Sequence, residues 1–357
     1  MSDTKNLRRY CDLADRLEYE KDLTDEELGL VLMCDIPGFD EYLTEKARTV
    51  REKIYGRDVY IRGLIEFTNY CRNNCNYCGI RCGNDNIGRY RLGEDEILSC
   101  CDTGYDLGFR TFVLQGGEDP FFTDDVLVPI IKKIKQRHPD TAVTLSIGER
   151  SRESYERLFD AGADRYLLRH ETADREHYEA LHPQNMSYDN RIRCLKNLRD
   201  IGYQVGCGMM IGSPGQTVRQ IIKDIRFIQE FSPEMVGTGP FIPHHDTVYA
   251  DCRPGTAAMT LRVLSVIRLL LPDVLLPATT ALGTIDPSGR EKALRAGANV
   301  VMPNLSPKGV RDKYSLYDNK ICTGEEAAEC VRCLSARISA TGYHIAVSRG
   351  DHIRYSH

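Results

Sequence analysis

The 357-residue sequence has no apolar run long enough to cross a lipid bilayer and no excess of positive charge. A membrane-spanning helix needs about 20 predominantly apolar residues, and the N-terminus lacks the apolar core of a secretory signal peptide. The 47 Lys and Arg against 52 Asp and Glu give a formal charge of −5, which disfavours a general nucleic-acid binder. The sequence therefore predicts a cytoplasmic protein that binds neither a membrane nor nucleic acid.

Cysteine, in contrast, is abundant, with 14 residues. Without a secretory signal, this number indicates reduced thiols and metal ligands rather than a disulfide framework. Cys71, Cys75 and Cys78 follow a strand-like apolar run in the spacing Cys-x3-Cys-x2-Cys. Because a cluster that only transfers electrons normally has four protein ligands, a triple in one loop favours an iron–sulfur cluster with one iron open to a substrate.

A zinc site is the alternative interpretation of these cysteines. Cys75 and Cys78 form a CxxC pair, and Cys330 and Cys333 form a second one near the C-terminus, so a tetrahedral zinc site between the pairs is conceivable. It leaves Cys71 without a role, and zinc sites usually take both pairs from one compact module.

Alternating strand-like and helix-like segments predict the fold. Amphipathic helical stretches separate eight apolar strand-like runs, near residues 59–67, 110–115, 141–147, 164–169, 204–211, 234–242, 274–280 and 299–302. Eight parallel strands with crossover helices form an α/β fold of the (βα)8 TIM-barrel type, with an open doubly wound sheet as the alternative. We expect an N-terminal helical extension over 1–57, the barrel over 58–304 and a C-terminal extension with a second cysteine site over 305–357. Thr24 and Glu27 predict a capping box at a helix start within the first of these.

The segment IEFTNYCRNNCNYCGIR resembles the signature of radical S-adenosylmethionine (SAM) enzymes. The resemblance implies that the three thiolates hold a [4Fe–4S] cluster, that SAM chelates its open iron, and that SAM is cleaved reductively to a 5′-deoxyadenosyl radical. Polar and glycine residues follow several other predicted strands, and barrel active sites lie at such strand ends. Gly116 and Gly117 allow a close backbone approach, Ser146 and Glu171 offer hydrogen bonds, and Arg191 suits a carboxylate.

Hydrogen-bond donors at the later strand ends predict a cavity for an anionic or carboxylate-bearing substrate. The candidate lining residues are Arg169, His170, Thr279, Thr280, Tyr314 and Tyr317.

Further segments resemble the HydE family of FeFe-hydrogenase maturases, which is similar to biotin synthase. They are RYLLRHETA, IGSPGQT, GPFIPHHDT, LPATTALGT and ANVVMPNLSP, in this order after the cysteine loop. The resemblance implies that Ser146, Glu171 and Arg191 contact SAM and that Thr279 and Thr280 line a deep cavity. It also implies a small-molecule or organometallic iron–cysteine substrate, other hydrogenase maturases as partners, and an electron donor.

In the tail segment KICTGEEAAECVRC, Cys322, Cys330 and Cys333 resemble the ligands of an auxiliary cluster in some members of this family. That resemblance implies an auxiliary [2Fe–2S] or [4Fe–4S] cluster that is not required for activity, and a zinc site is the alternative.

Three other functions remain open at this point. A methylornithine synthase would not need the three tail cysteines. A biotin synthase would need cluster ligands inside the barrel, where Cys207 stands alone. A non-enzymatic iron–sulfur or zinc scaffold would not need SAM-binding groups at several strand ends.

Overall fold

Parallel strands close into a ring in the computed structural model, which describes residues 2–324 and 327–355, the side chains of 2–6 and 327–330 excepted. The strands are β1 Asp58–Ile61, β2 Gly63–Thr68, β3 Thr111–Gly116, β4 Ala142–Ser146, β5 Ala163–Leu167, β6 Gln204–Cys207, β7 Met210–Ile211, β8 Met235–Val236, β9 Gly239–Pro240, β10 Val300–Val301 and β11 His344–Ala346. β2, β3, β4, β5, β6 and β8 pair in this order, all parallel. β10 pairs in parallel with β1, which runs into β2, so the predicted eight-membered (βα)8 barrel is confirmed and an open sheet is excluded.

Helices surround this ring and precede it. They are α1 Ser2–Glu20, α2 Asp25–Met33, α3 Phe39–Tyr55, α4 Glu94–Asp106, α5 Asp124–Arg137, α6 Arg152–Asp160, α7 Arg175–Leu181, α8 Tyr188–Ile201, α9 Val218–Phe231, α10 Ala257–Leu270, α11 Thr280–Ile285, α12 Gly289–Arg295, α13 Lys308–Arg311 and α14 Ala327–Ser339. The Thr24–Glu27 capping box is confirmed at the start of α2. Among the described residues, no helix is long and apolar enough to span a membrane.

The seventh position of the ring differs from the prediction. Residues 274–280 form no regular strand, because only isolated bridges join Leu275 to Met235 and Pro277 to Val300. Pro277 has no backbone N–H for a ladder hydrogen bond, and Thr279 already caps α11 by accepting a hydrogen bond from the Leu282 N–H. Residues 274–280 therefore occupy the seventh position of the ring without a continuous ladder of hydrogen bonds.

The predicted strands 204–211 and 234–242 are each interrupted by glycine. A Cβ on Gly208 would lie 2.0 Å from the carbonyl oxygen of Gly237. The two chains therefore approach more closely at this point than any side chain would allow.

The C-terminal residues cover the bottom of the barrel, at the N-terminal ends of the strands. β11 pairs with β1, and the chain then crosses under the ring, where the carbonyl of Arg349 accepts hydrogen bonds from Thr111 at 2.7 Å and Arg165 at 2.7 Å. Asp351 forms an ion pair with the buried Arg165. These contacts close the lower end of the barrel and leave the upper end for a site.

Candidate functional site

The three clustered cysteines lie at the upper end of the barrel, in the loop between β2 and α4. The Arg89 guanidinium donates hydrogen bonds to the carbonyls of Asn69 at 2.6 Å, Ile80 at 2.8 Å, Arg81 at 2.6 Å and Asn84 at 3.0 Å. One side chain thus ties together four points of a loop that has no regular secondary structure. The sequence analysis missed Arg89, because its partners are backbone groups.

Cys71, Cys75 and Cys78 are all half-buried. Burial raises the pKa of all three thiols, that of Cys78 to about 12 and that of Cys75 most strongly. The negative charge of neighbouring thiolates raises each pKa further. Three such thiols become thiolates only if a cation shares their charge. The loop therefore has the chemistry of a metal centre.

The sulfur atoms of the three cysteines are not gathered within the radius of a single-ion site. Among the described residues, the three cysteine sulfurs do not all lie within 4.8 Å of one another. A single zinc ion with bonds of about 2.3 Å to sulfur holds its thiolates about 3.8 Å apart. The three side chains as they stand are therefore not gathered around one zinc ion.

Gly116 and Gly117 lie directly behind the cysteine loop. A Cβ on Gly117 would lie 2.2 Å from the Tyr70 carbonyl oxygen and 2.7 Å from the Cys71 Cβ. The Arg72 N–H donates to the Glu118 carbonyl at 2.9 Å, so the β3 end and the loop are in direct contact.

Glu171 follows β5 with a positive φ of 63°. One of its carboxylate oxygens lies 2.9 Å from the Arg169 Nη2 atom, yet both atoms are buried and neither has an aligned hydrogen-bond partner. A strained backbone and unsatisfied buried polar atoms at a strand end indicate a ligand site.

Arg191 reaches the same region from α8. Its Nε donates to Glu149 at 2.6 Å and its Nη1 to the Arg169 carbonyl at 2.7 Å, and burial is outweighed by neighbouring acidic groups, so its pKa is raised. Ser146 pairs in register with Gln115 at the adjacent strand ends. Glu149, which the sequence analysis missed, fixes the orientation of Arg191.

An aromatic wall stands beside Cys75. The Tyr77 hydroxyl lies 3.2 Å from His182 Nε2, and the His182 ring stacks on Tyr178 with centroids 3.9 Å apart. Burial lowers the pKa of His182 to about 3, so the ring is neutral. Met186 completes this side, with its sulfur 3.6 Å from the Cys75 sulfur.

A cavity of about 180 Å³ occupies the barrel interior below the cysteine loop. Of the predicted lining residues, Arg169, Thr279, Thr280 and Tyr317 lie on its wall. Tyr314 lies next to it, where its hydroxyl accepts a hydrogen bond from Gln115 at 3.4 Å. The structure therefore brings these five residues into one region.

The prediction that His170 lines this cavity is wrong. Its Nε2 lies 3.5 Å from Asp224 and its ring packs against Phe227, both on the outer helix α9. Neighbouring residues of an extended segment point to opposite sides, so His170 faces out where Arg169 faces in.

The cavity wall also carries a buried ion pair that the sequence analysis missed. Lys320 Nζ lies 2.6 Å from one oxygen of Glu66, and Asn304 Nδ2 donates to the other at 2.8 Å. Lys320 also donates to the Tyr314 carbonyl at 2.9 Å. The pair joins the loop above the cavity to β2.

The tail cysteines lie beside this loop. Cys322 lies on the cavity wall, and Cys333 is exposed on α14. Cys330 belongs to the same helix, but its side chain lies outside the described residues.

The sequence and fold of the chain are similar to those of several known proteins. Residues 65–228 match the family model of the Radical SAM superfamily. The chain is 45% identical to the [FeFe] hydrogenase maturase subunit HydE of Thermotoga maritima, over 93% of this chain and 94% of that protein. It is 30% identical to the 3-methylornithine synthase of Methanosarcina barkeri over 94% of each. The crystal structure of methylornithine synthase (PylB) superposes with a TM-score of 0.83 and 27% identity, covering 94% of this chain and 97% of that one.

Proposed function

The chain belongs to the HydE family of radical SAM enzymes, and on this basis we propose that it acts on a small sulfur-containing substrate during assembly of the FeFe-hydrogenase active-site cluster. The observation that carries the proposal is the cysteine triple at the upper end of a barrel whose interior holds a cavity lined by residues near several strand ends. The identity of 45% to a HydE protein over nearly the whole of both chains supports this role over that of the less similar 3-methylornithine synthase.

Radical SAM enzymes use a [4Fe–4S] cluster and SAM, and the residues present fit both. Three half-buried thiols lie in one loop, and buried atoms of Arg169 and Glu171 lack an aligned hydrogen-bond partner. When bound, the cluster and SAM together supply a 5′-deoxyadenosyl radical by reductive cleavage. We assign Cys71, Cys75 and Cys78 to the cluster.

We assign SAM to the strand ends beside that loop. In this assignment the backbone of Gly116 and Gly117 contacts SAM directly, because neither residue has a side chain. Ser146 and Glu171 form hydrogen bonds with SAM, and Arg191 binds its carboxylate. Because Glu149 holds Arg191 at 2.6 Å, the guanidinium is oriented before the ligand arrives. Such preorganisation lowers the entropic cost of binding.

The cavity would hold the substrate against Arg169, Thr279, Thr280, Tyr314 and Tyr317. Its described walls come from β2, β3 and β5 and from the segments near residues 237, 277 and 302, and the loop carrying Lys320 adds a further wall. A radical needs an enclosed site because water and stray hydrogen donors would otherwise react with it.

The remaining parts of the proposal concern the chain as a whole. We divide it into an N-terminal helical extension over 1–57, the barrel over 58–304 and a C-terminal extension over 305–357. Cys322, Cys330 and Cys333 are proposed ligands of an auxiliary [2Fe–2S] or [4Fe–4S] cluster that is not catalytic. Other hydrogenase maturases and an electron donor are the proposed partners, in the cytoplasm, where thiols stay reduced.

The test is the release of 5′-deoxyadenosine from SAM and dithionite by anaerobically reconstituted protein. We expect Cys75→Ala to reduce release to the level of a protein-free control, because two thiolates no longer hold the cluster. Cys333→Ala is the matched control and should retain most of the activity. Full activity of Cys75→Ala would contradict the cluster assignment, and an inactive Cys333→Ala would contradict a non-catalytic tail site.

A further inference from the structure

The charges of the described residues on the cavity wall do not balance. Among these lining residues four are charged, namely Glu66, Arg169, Arg290 and Lys320. Three are cations and one is an anion, so the net charge of the wall depends on which cations have an anionic partner. An unpaired cation in an enclosed site is costly unless a ligand supplies the opposite charge.

Two of the three cations are paired within the protein. Lys320 lies 2.6 Å from Glu66, whose second oxygen is already bonded to Asn304. Arg169 lies 2.9 Å from Glu171. Both oxygens of Glu66 are therefore engaged, and neither pair contributes a net charge to the cavity.

Arg290 is the exception. Among the described residues it has neither an ion-pair nor a hydrogen-bond partner. Its side chain is half-buried, and its Nε atom is fully buried and unsatisfied. It belongs to the first turn of α12, beside Gly283, where an added Cβ would lie 3.3 Å from the Arg290 Nε and 3.0 Å from the Ile321 Cδ1. The absence of a side chain at position 283 thus leaves room for the guanidinium next to the loop that carries Lys320.

We propose that Arg290 binds the carboxylate of the substrate and sets the cavity's preference for a ligand that carries a carboxylate. This inference rests on the proposed function and adds a specificity residue to it. A guanidinium presents two parallel N–H groups to a carboxylate, and the ligand's carboxylate would pair with the one cation that Glu66 and Glu171 leave unpaired. A cavity of about 180 Å³ is smaller than sites for drug-sized molecules, so the ligand is of amino-acid size.

The experiment compares L-cysteine with cysteamine, which lacks only the carboxylate, as probes of full-length reconstituted protein in the presence of SAM. Isothermal titration should show that the wild type binds L-cysteine about 10- to 100-fold more tightly, the range expected for a charged hydrogen-bonded contact. Arg290→Met should lose this preference, and Arg290→Lys should keep only part of it. Arg295→Met removes an exposed arginine from the same helix and should leave the preference unchanged.

Two outcomes would overturn the inference. One is a wild type that does not distinguish the two probes, and the other is an Arg290→Met variant that distinguishes them as well as the wild type. Thermal unfolding of each variant shows whether it is folded. If Arg290→Met does not fold, the ratio of the two affinities measured with Arg290→Lys decides the question. Release of 5′-deoxyadenosine by the wild type, measured in the same preparation, separates a failure of this inference from a failure of the proposed function.

Discussion

At the scale of single residues, the buried Arg165 is matched by the opposite charge of the half-buried Asp351 under the barrel. Its carboxylate accepts hydrogen bonds from Arg165 at 2.5 Å, Gln204 at 2.7 Å and Arg349 at 2.7 Å. Burial alone would raise the pKa of Asp351, but the Arg165 charge and the bonds from Arg349 and Gln204 outweigh it and lower the pKa well below its usual value. Asp351 therefore stabilises the folded state in its charged form.

Asp351→Asn should lower the free energy of unfolding at pH 7 by about 3 kcal/mol, because it leaves Arg165 buried without its partner. The folded-state pKa lies below the unfolded value of about 3.9, so the contribution is complete above about pH 4 and is lost as the pH falls further. Urea unfolding at several pH values should show the difference between variant and wild type shrinking below about pH 4.

Asp189→Asn is the control for this measurement. Asp189 pairs with Arg175 at the surface, where the side chains are 68% and 50% exposed, and such pairs contribute about 0–1 kcal/mol. A difference between Asp351→Asn and wild type that does not depend on pH would contradict the role given to the ionised carboxylate.

The sequence predicted the residues whose chemistry shows in local spacing and missed those whose partners are distant. The cysteines of the cluster loop were found because they lie within eight residues. Glu66 and Lys320 were missed because 254 positions separate them, and neither has a distinctive neighbour. Arg290 was missed for a different reason, since its lack of a partner shows only when the whole cavity wall is known.

At the scale of elements, the cysteine loop depends on its contact with the end of β3. Gly117→Ala would place a methyl group 2.2 Å from the Tyr70 carbonyl, so the loop must move, at a cost of about 1–3 kcal/mol. We expect less iron bound per chain after reconstitution and a lower melting temperature. Gly309→Ala is the control, because nothing lies within 4 Å of a Cβ at that position. Equal iron content in the two variants would show that the loop does not rest on Gly117.

Elements with strong periodicity were predicted closely, and short or glycine-interrupted ones were not. The expected helix 124–136 is observed as Asp124–Arg137. The prediction was accurate because an amphipathic pattern over three turns is a strong signal for a helix. The strand expected over 274–280 was wrong, since Pro277 stops the ladder there. β11 was not predicted because three residues are too few to give a pattern.

At the scale of the whole molecule, the ring of strands brings distant segments of the chain to one upper face. The sequence predicted this shared face because polar residues follow each apolar run. The C-terminal ends of the strands in a parallel barrel all lie on one face. It did not predict the lower closure, in which residues after β11 cross under the ring and meet Arg165. That contact depends on where the tail runs in space, which no local pattern encodes.

The central claim is that three thiolates of one loop hold a cluster whose remaining iron binds SAM. The most direct measurement is electron paramagnetic resonance of the anaerobically reconstituted, dithionite-reduced protein carrying Ser at Cys322, Cys330 and Cys333, with and without SAM. We predict a reduced [4Fe–4S] signal whose shape changes when SAM is added and which is absent after a further Cys75→Ala substitution. A signal that SAM leaves unchanged, or one that persists without Cys75, would contradict the account.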